Sequence, residues 1–206
     1  MSSERSHGTW LDAWADASTR MFESTVAANR ATLAAFGIGP VGSERTDDGS
    51  PNGIEPAADL PEWETNSSAE ARSELGVGDW FSFTKTLTDE DVHGFALASG
   101  DTNPLHLDDA FAEKTRFDGR IVHGTLVGGL ISAALARIPG LVVYLSQDLQ
   151  FRRPVRVGDR VSARCEIVEA LGDDQYRLTT RVLSHDDGDD VIIDGEAVVL
   201  IDELPE

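Results

Sequence analysis

An α+β fold, with one long buried helix wrapped by an antiparallel sheet of about five strands, is what this sequence predicts. Three observations carry that reading. The stretch HGTLVGGLISAALARIPG, 123–140, is apolar almost all round from Thr125 to Ala136, and a helix without a polar face belongs inside a domain. After it, segments 141–151, 160–168, 175–184 and 190–202 alternate with period two, the signature of strands with one buried face. The clusters GDD and HDDGDD between the later segments are turn chemistry suited to antiparallel neighbours.

Taken in order, residues 9–36 read as an amphipathic helix. Trp10, Trp14, Ala17, Met21, Ala28 and Ala35 form one stripe, flanked by Leu11, Phe22, Val26, Leu33 and Phe36. Asp12, Asp16, Arg20, Glu23 and Arg30 lie opposite. Thr9 suits its N-cap, and Gly37, Gly39 and Pro40 end it. Residues 37–74 are rich in Gly, Pro, Ser, Asp and Glu, a composition that buries too little apolar surface to offset chain entropy. They read as an acidic flexible linker, with Trp63 a local anchor. Residues 75–206 read as the globular domain.

Within that domain, DWFSFTKTLT (79–88) reads as a strand, and Thr88 caps a helix whose first turn is acidic. After a polar loop, DDAFAEKT reads as a short helix. Pro139 and Gly140 stop the long helix. In 141–151, Leu141, Val143, Leu145, Leu149 and Phe151 share one parity. In 160–168, Val161, Ala163, Cys165 and Ile167 do the same.

Charge bounds the partners. Lys and Arg total 17 against 37 Asp and Glu, a net charge of −20. Residues 1–70 hold 4 basic and 12 acidic groups, and the rest hold 13 and 25, so the acidity is spread over the chain. That argues against nucleic acid and against anionic membrane surfaces. With only two lysines, Lys85 and Lys114, it suggests a halophilic, salt-rich cytoplasm that screens self-repulsion. Cys165 is the only cysteine, so no intramolecular disulfide forms, as in a cytoplasmic chain. No run of 18 apolar residues marks a membrane span, and MSSERSHGTW lacks a signal-peptide pattern.

The chemistry concentrates in ASGDTNPLH. Part of it has a plain structural explanation: Ser99-Gly100 ends a helix, Asp101 makes an Asx turn, and Asn103-Pro104 starts an extended segment. That leaves His106, set between Leu105 and Leu107, without a reason. His123-Gly124 sits at the mouth of the buried helix, where the first N–H groups lack internal partners and the dipole is positive. It is either a helix cap alone or a place where an N–H meets a carbonyl gaining negative charge. A carboxylate, an imidazole and such an N–H suit addition of water across a double bond conjugated to a carbonyl.

Three motifs, F-x-L-x-S-G-D-x-N-P-L-H (95–106), IVHGTL (121–126) and FRRPVRVGD (151–159), resemble those of the (R)-specific enoyl-CoA hydratases of the MaoC-like hotdog family. The resemblance covers about residues 75–202, and the D-x-N-P-x-H element shows no departure. It implies a hotdog fold, a helix held in a curled sheet, working as a homodimer. It implies hydration of trans-2-enoyl-CoA to (R)-3-hydroxyacyl-CoA, with an acyl-CoA substrate and neither a metal nor a cofactor. Asp101 and His106 carry over as the catalytic pair and Gly124 as backbone donor to the thioester oxygen. Asn103, Ser132 and Leu135 fall at the substrate pocket. Leu126, Leu130 and Leu135 either line an acyl tunnel or pack the core. Arg152, Arg153 and Arg156 either meet CoA phosphates or form a solvated strand edge. His93 and His185 read as surface residues, and the scattered histidines show no metal-ligand spacing.

Two other functions stay open: a different hotdog thioester enzyme, a hydroxyacyl dehydratase or a thioesterase, or a non-catalytic adaptor recruited by the N-terminal helix. That helix either docks within the protein or contacts a polyhydroxyalkanoate storage granule or synthase.

Overall fold

Alternation along the chain builds the sheet. In the computed structural model, which describes residue 55, residues 57–185 and residues 190–205, strands β1 (Glu64–Ser67) and β2 (Trp80–Thr86) precede an 11-residue helix, two four-residue helices and a 12-residue helix. These are α1 (Asp89–Ser99), α2 (Pro104–Leu107), α3 (Asp109–Ala112) and α4 (Gly124–Leu135). Strands β3 (Leu141–Phe151), β4 (Arg160–Gly172), β5 (Gln175–Ser184) and β6 (Val191–Asp202) complete the chain. All neighbours are antiparallel, in the order β1-β2-β4-β5-β6-β3. The amphipathic helix expected at 9–36 lies outside the described residues, as do 37–54.

The core forms where α4 meets the sheet. Val127, Leu130, Ile131, Ala134 and Leu135 of α4 are buried in one cluster with Phe81 and Phe83 of β2, Ile167 of β4 and Leu178 of β5. β4 follows its sequence pattern, with Val161, Ala163, Cys165 and Ile167 all buried. Burial pushes the Cys165 thiol up to about 12, so it packs as a small apolar group and holds little thiolate. A helix enclosed by a curled antiparallel sheet is the hotdog arrangement that the resemblance implies.

Three features differ from the sequence reading. First, the stretch expected to be linker to residue 74 supplies strand β1, which pairs with β2 from Glu64↔Thr84 to Ser67↔Phe81. Trp63 packs edge-on against Phe83 at 5.3 Å, and Arg72 Nε donates to the Ile201 carbonyl at 3.1 Å. ETNS carries no apolar alternation to announce a strand; backbone pairing and the neighbouring Trp63 hold it. Residues 57–74 therefore belong with the domain. Second, α4 is not covered all round: Thr125, Gly129, Ser132 and Ala136 form an exposed stripe. Third, the apolar parity of β3 is not buried. A register shift falls between Tyr144 and Ser146, and Leu141, Val143, Leu145 and Phe151 are 46, 41, 48 and 55 % exposed.

Helix α1 is fixed by its cap. Thr88 accepts from the Asp91 N–H, and Asp91 accepts in return from the Thr88 N–H at 2.8 Å, a reciprocal capping box. Lys85 Nζ donates to Asp91 at 2.7 Å. Burial works against the Asp91 carboxylate, but the Lys85 and Thr88 hydrogen bonds together outweigh it and hold the group below its ordinary 3.8. A depressed carboxylate stabilises the fold above its ordinary value, and that contribution disappears as pH falls through the folded value. Asp91→Ala should lower stability by about 1–2 kcal/mol at neutral pH. The gap from wild type should narrow below pH about 4, as read by chemical denaturation across pH. A gap that widens in acid would contradict the assignment.

Candidate active site

The polar loop is built by local hydrogen bonds. Gly100 takes φ 77° and closes α1 by donating its N–H to the Ala96 carbonyl, a left-handed position that a side chain would strain. Asp101 N–H then donates to Ser99 Oγ at 3.1 Å. Asn103 N–H donates to Asp101 Oδ1 at 3.2 Å, which is the expected Asx turn. The expected extended segment is instead the single-turn helix α2. Asn103 Oδ1 caps it by accepting from Leu105 N–H at 3.0 Å, and Pro104 occupies its first turn. Pro suits that place because its missing N–H would be unpaired there anyway. This turn rotates His106 inward, leaving it 8 % exposed.

His106 is oriented from its far side. Its Nδ1 lies 2.8 Å from the Ile121 carbonyl. A carbonyl only accepts, so Nδ1 carries the proton and Nε2 presents a lone pair. Arg120 secures the same loop, donating to Asp109 at 2.8 Å, to Asp89 at 2.8 Å and to the His106 carbonyl at 3.4 Å. The hydrogen bond to Asp109 raises the Arg120 guanidinium above its ordinary value despite partial burial, and Asp89 adds to it.

His123 completes the cluster. The sequence offers it only as part of a helix cap, and its side chain makes no capping bond. Instead it is 1 % exposed, and its Nε2 lies 3.0 Å from the Asp101 carbonyl, so Nε2 carries the proton. Its ring stacks on His106 at 3.9 Å between centroids and on Phe95 at 4.9 Å. Its Nδ1 is buried without a hydrogen-bond partner among the described residues, an arrangement that costs about 1–3 kcal/mol. The only signal for it in the sequence was its place beside Gly124, 17 residues after His106.

Asp101, His106 and His123 each bring a polar side-chain atom within 4.8 Å of the others. Such a trio has the composition of a metal site. The two imidazoles lie against each other at 3.9 Å between centroids, tilted by 31°. The Nε2 of His123 is engaged with the Asp101 carbonyl, while its Nδ1 is not engaged among the described residues. The lone pair at His106 Nε2 can accept a proton.

His106 and Gly124 line one cavity of about 310 Å³, with Val127, Phe151, Arg152 and Arg153 among its other walls. Gly124 opens α4, so its N–H has no carbonyl one turn earlier in the helix. A Cβ here would sit 3.0 Å from Phe151 Cε1. The position therefore takes glycine so that the Phe151 ring and a ligand oxygen can approach the backbone. A water held by Asp101 and His106, beside a carbonyl facing the Gly124 N–H, is an arrangement that can do conjugate addition.

The remaining candidates separate. Asn103 is exposed, with its oxygen engaged in capping α2. Ser132 is exposed on the open stripe of α4, and Leu135 is 1 % exposed in the core; neither lines the His106 cavity. Leu126 and Leu130 line a second, apolar cavity of about 350 Å³, with Trp63, Phe83 and Phe95. Arg152 and Arg153 reach the rim of the first cavity, where Arg152 lies 3.9 Å from Asp194 and Arg153 is bonded to Asp190. Arg156 is bonded to the Phe117 carbonyl and does not line the cavity. His93 is exposed, as expected, and so is His185.

Comparison with known proteins points the same way. The family profile described as MaoC like domain matches residues 77–187. A 3-hydroxybutyryl-CoA dehydratase of Methylorubrum extorquens is 42 % identical over 135 residues, 65 % of this chain and 85 % of the relative. An (R)-specific enoyl-CoA hydratase of Aeromonas caviae is 43 % identical over 129 residues, 61 % of this chain and 94 % of the relative. Among solved structures, the unliganded R-hydratase PhaJ1 from Pseudomonas aeruginosa superposes with a TM-score of 0.61 at 38 % identity, covering 69 % of this chain and 90 % of that one.

Proposed function

The chain belongs to the MaoC-like domain family, as a hotdog hydratase or dehydratase, and from that premise we propose that it is an (R)-specific enoyl-CoA hydratase. In this reading it adds water to trans-2-enoyl-CoA and gives (R)-3-hydroxyacyl-CoA. The observation that carries the proposal is the pairing of a His106 with its lone pair free at Nε2 and the open N–H position of Gly124 in one cavity, with Asp101 beside them.

The reaction follows from that placement. Asp101 and His106 hold one water between them. As its oxygen bonds to C3, the pair takes a proton, and the electron pair of the double bond moves toward the thioester carbonyl. Gly124 N–H donates to that oxygen while it carries negative charge. A proton then passes from the pair to C2, so one water is added and the two side chains return to their starting state. His123 acts through the others: it grips the Asp101 backbone and backs the His106 ring. No redox step occurs, and the acyl-CoA is the substrate. An (R)-3-hydroxyacyl-CoA is the kind of monomer a polyhydroxyalkanoate synthase consumes, and supply of such a synthase is the use we propose. The single, buried cysteine suits a reducing cytoplasm. No helix among the described residues is long and apolar enough to cross a membrane.

Incubation with crotonyl-CoA tests the activity. The absorbance of the conjugated enoyl thioester should fall without release of free thiol. Free thiol would identify a thioesterase instead, and an unchanged spectrum would favour an adaptor.

The enzyme should be a homodimer. β3 is one of the two sheet edges, and its apolar side chains are open, a surface that recruits another strand unless it is covered. Sedimentation should give twice the 22.2 kDa of one chain, and Leu145→Lys should shift it to the monomer. An active wild-type monomer would refute this.

A further inference from the structure

We propose that Arg116 binds a phosphate of a phosphopantetheine thioester at the mouth of the catalytic cavity; this rests on the hydratase reading above. The argument starts from scarcity. Acidic residues outnumber basic ones by 37 to 17, so an arginine on this surface has carboxylates all around it. Nine of the eleven arginines among the described residues have one within salt-bridge distance. Of the two that do not, Arg156 is spent on the Phe117 carbonyl. Arg116 is exposed, and among the described residues its guanidinium carbon lies over the Phe117 ring at 4.9 Å, with no carboxylate in reach. It lines the same cavity as His106 and Gly124.

A guanidinium over an aromatic ring keeps its in-plane N–H donors free for a bidentate oxyanion. Arg152 and Arg153 line the same cavity, each already facing a carboxylate, which leaves Arg116 as the uncommitted arginine there. The need for one is electrostatic. A chain of net charge −20 repels a phosphate-bearing substrate, and a local cation at the cavity mouth offsets that repulsion where the substrate enters. The phosphate can belong to coenzyme A or to the prosthetic arm of a carrier protein, since both end in the same phosphopantetheine.

Three crotonyl thioesters separate these sources: CoA, 4′-phosphopantetheine and pantetheine. They are to be assayed with the full-length wild type and with Arg116→Gln and Arg116→Lys. Arg116→Gln should raise KM for crotonyl-CoA about tenfold with kcat within about twofold, the mark of lost binding rather than lost chemistry. Arg116→Lys should recover part of the loss. For crotonyl-pantetheine, which has no phosphate, the ratio of wild type to variant should narrow to about one. A loss on both phosphorylated substrates supports the proposal and assigns the phosphate shared with carrier proteins. A loss on crotonyl-CoA alone supports it and assigns the nucleotide phosphates. An equal loss on all three, or none on crotonyl-CoA, overturns it. A wild type that hydrates none of the three overturns the hydratase reading itself.

Discussion

Asp101→Asn should lower kcat for crotonyl-CoA hydration by about 10²–10⁴-fold, and His106→Ala should do the same. The double variant should be scarcely worse than either single one, since in the proposed reaction the two groups act on one water and removal of either ends the proton transfer. Asn keeps the shape of Asp101, and its carbonyl oxygen can still accept from the Asn103 N–H that closes the Asx turn. The loop should therefore survive, with an unchanged melting temperature. His106→Ala removes the donor to the Ile121 carbonyl, yet Arg120 still holds the loop through Asp89, Asp109 and the His106 backbone carbonyl. Near-wild-type turnover by either folded variant would remove the pair from the mechanism.

His123→Phe should separate activity from stability. Phenylalanine keeps a ring against His106 and Phe95 but loses the N–H that holds the Asp101 carbonyl. A small misplacement of a catalytic group costs up to about 10²-fold, so kcat should fall about 10–100-fold with KM within about threefold. The same change deletes the buried, unpartnered Nδ1 and so removes a desolvation penalty. The melting temperature should then hold or rise while turnover falls. His123→Gln, whose amide N–H can reach the same carbonyl, should restore part of kcat. If Phe matches wild type in turnover, or if Gln is poorer than Phe, the hydrogen bond to Asp101 does not position the pair.

Much of this architecture was legible because a few residues impose it alone. The apolar run of α4 has to be enclosed, and the Val161-Ala163-Cys165-Ile167 alternation presents one face of β4 to that helix. Thr88 and Asp91 mark the start of α1 by the chemistry of their side chains. Strand β1 was illegible for the opposite reason: ETNS is held by backbone bonds to β2, which leave no trace in residue type. β3 was read with the right period and the wrong environment. Its apolar parity would mark a buried face in a central strand, but at the sheet edge that parity lies open. In the site, Asp101, His106 and Gly124 could be named from their motifs. His123 could not be given a role, because stacking on His106 and gripping the Asp101 backbone depend on where α4 begins relative to the loop. Leu135 was read toward the pocket with core packing as its alternative, and the pitch of α4 turns it into the core.

The configuration at C3 of the product tests the central claim most directly. Purified full-length protein is to be incubated with crotonyl-CoA, and the 3-hydroxybutyryl-CoA formed is to be resolved against both enantiomers. Delivery of water from one side by Asp101 and His106, with the carbonyl held at Gly124, predicts a single enantiomer, and the likeness to (R)-specific hydratases makes R the expected one. An S product, a racemic mixture, or free CoA in place of a hydroxyacyl thioester would contradict the account.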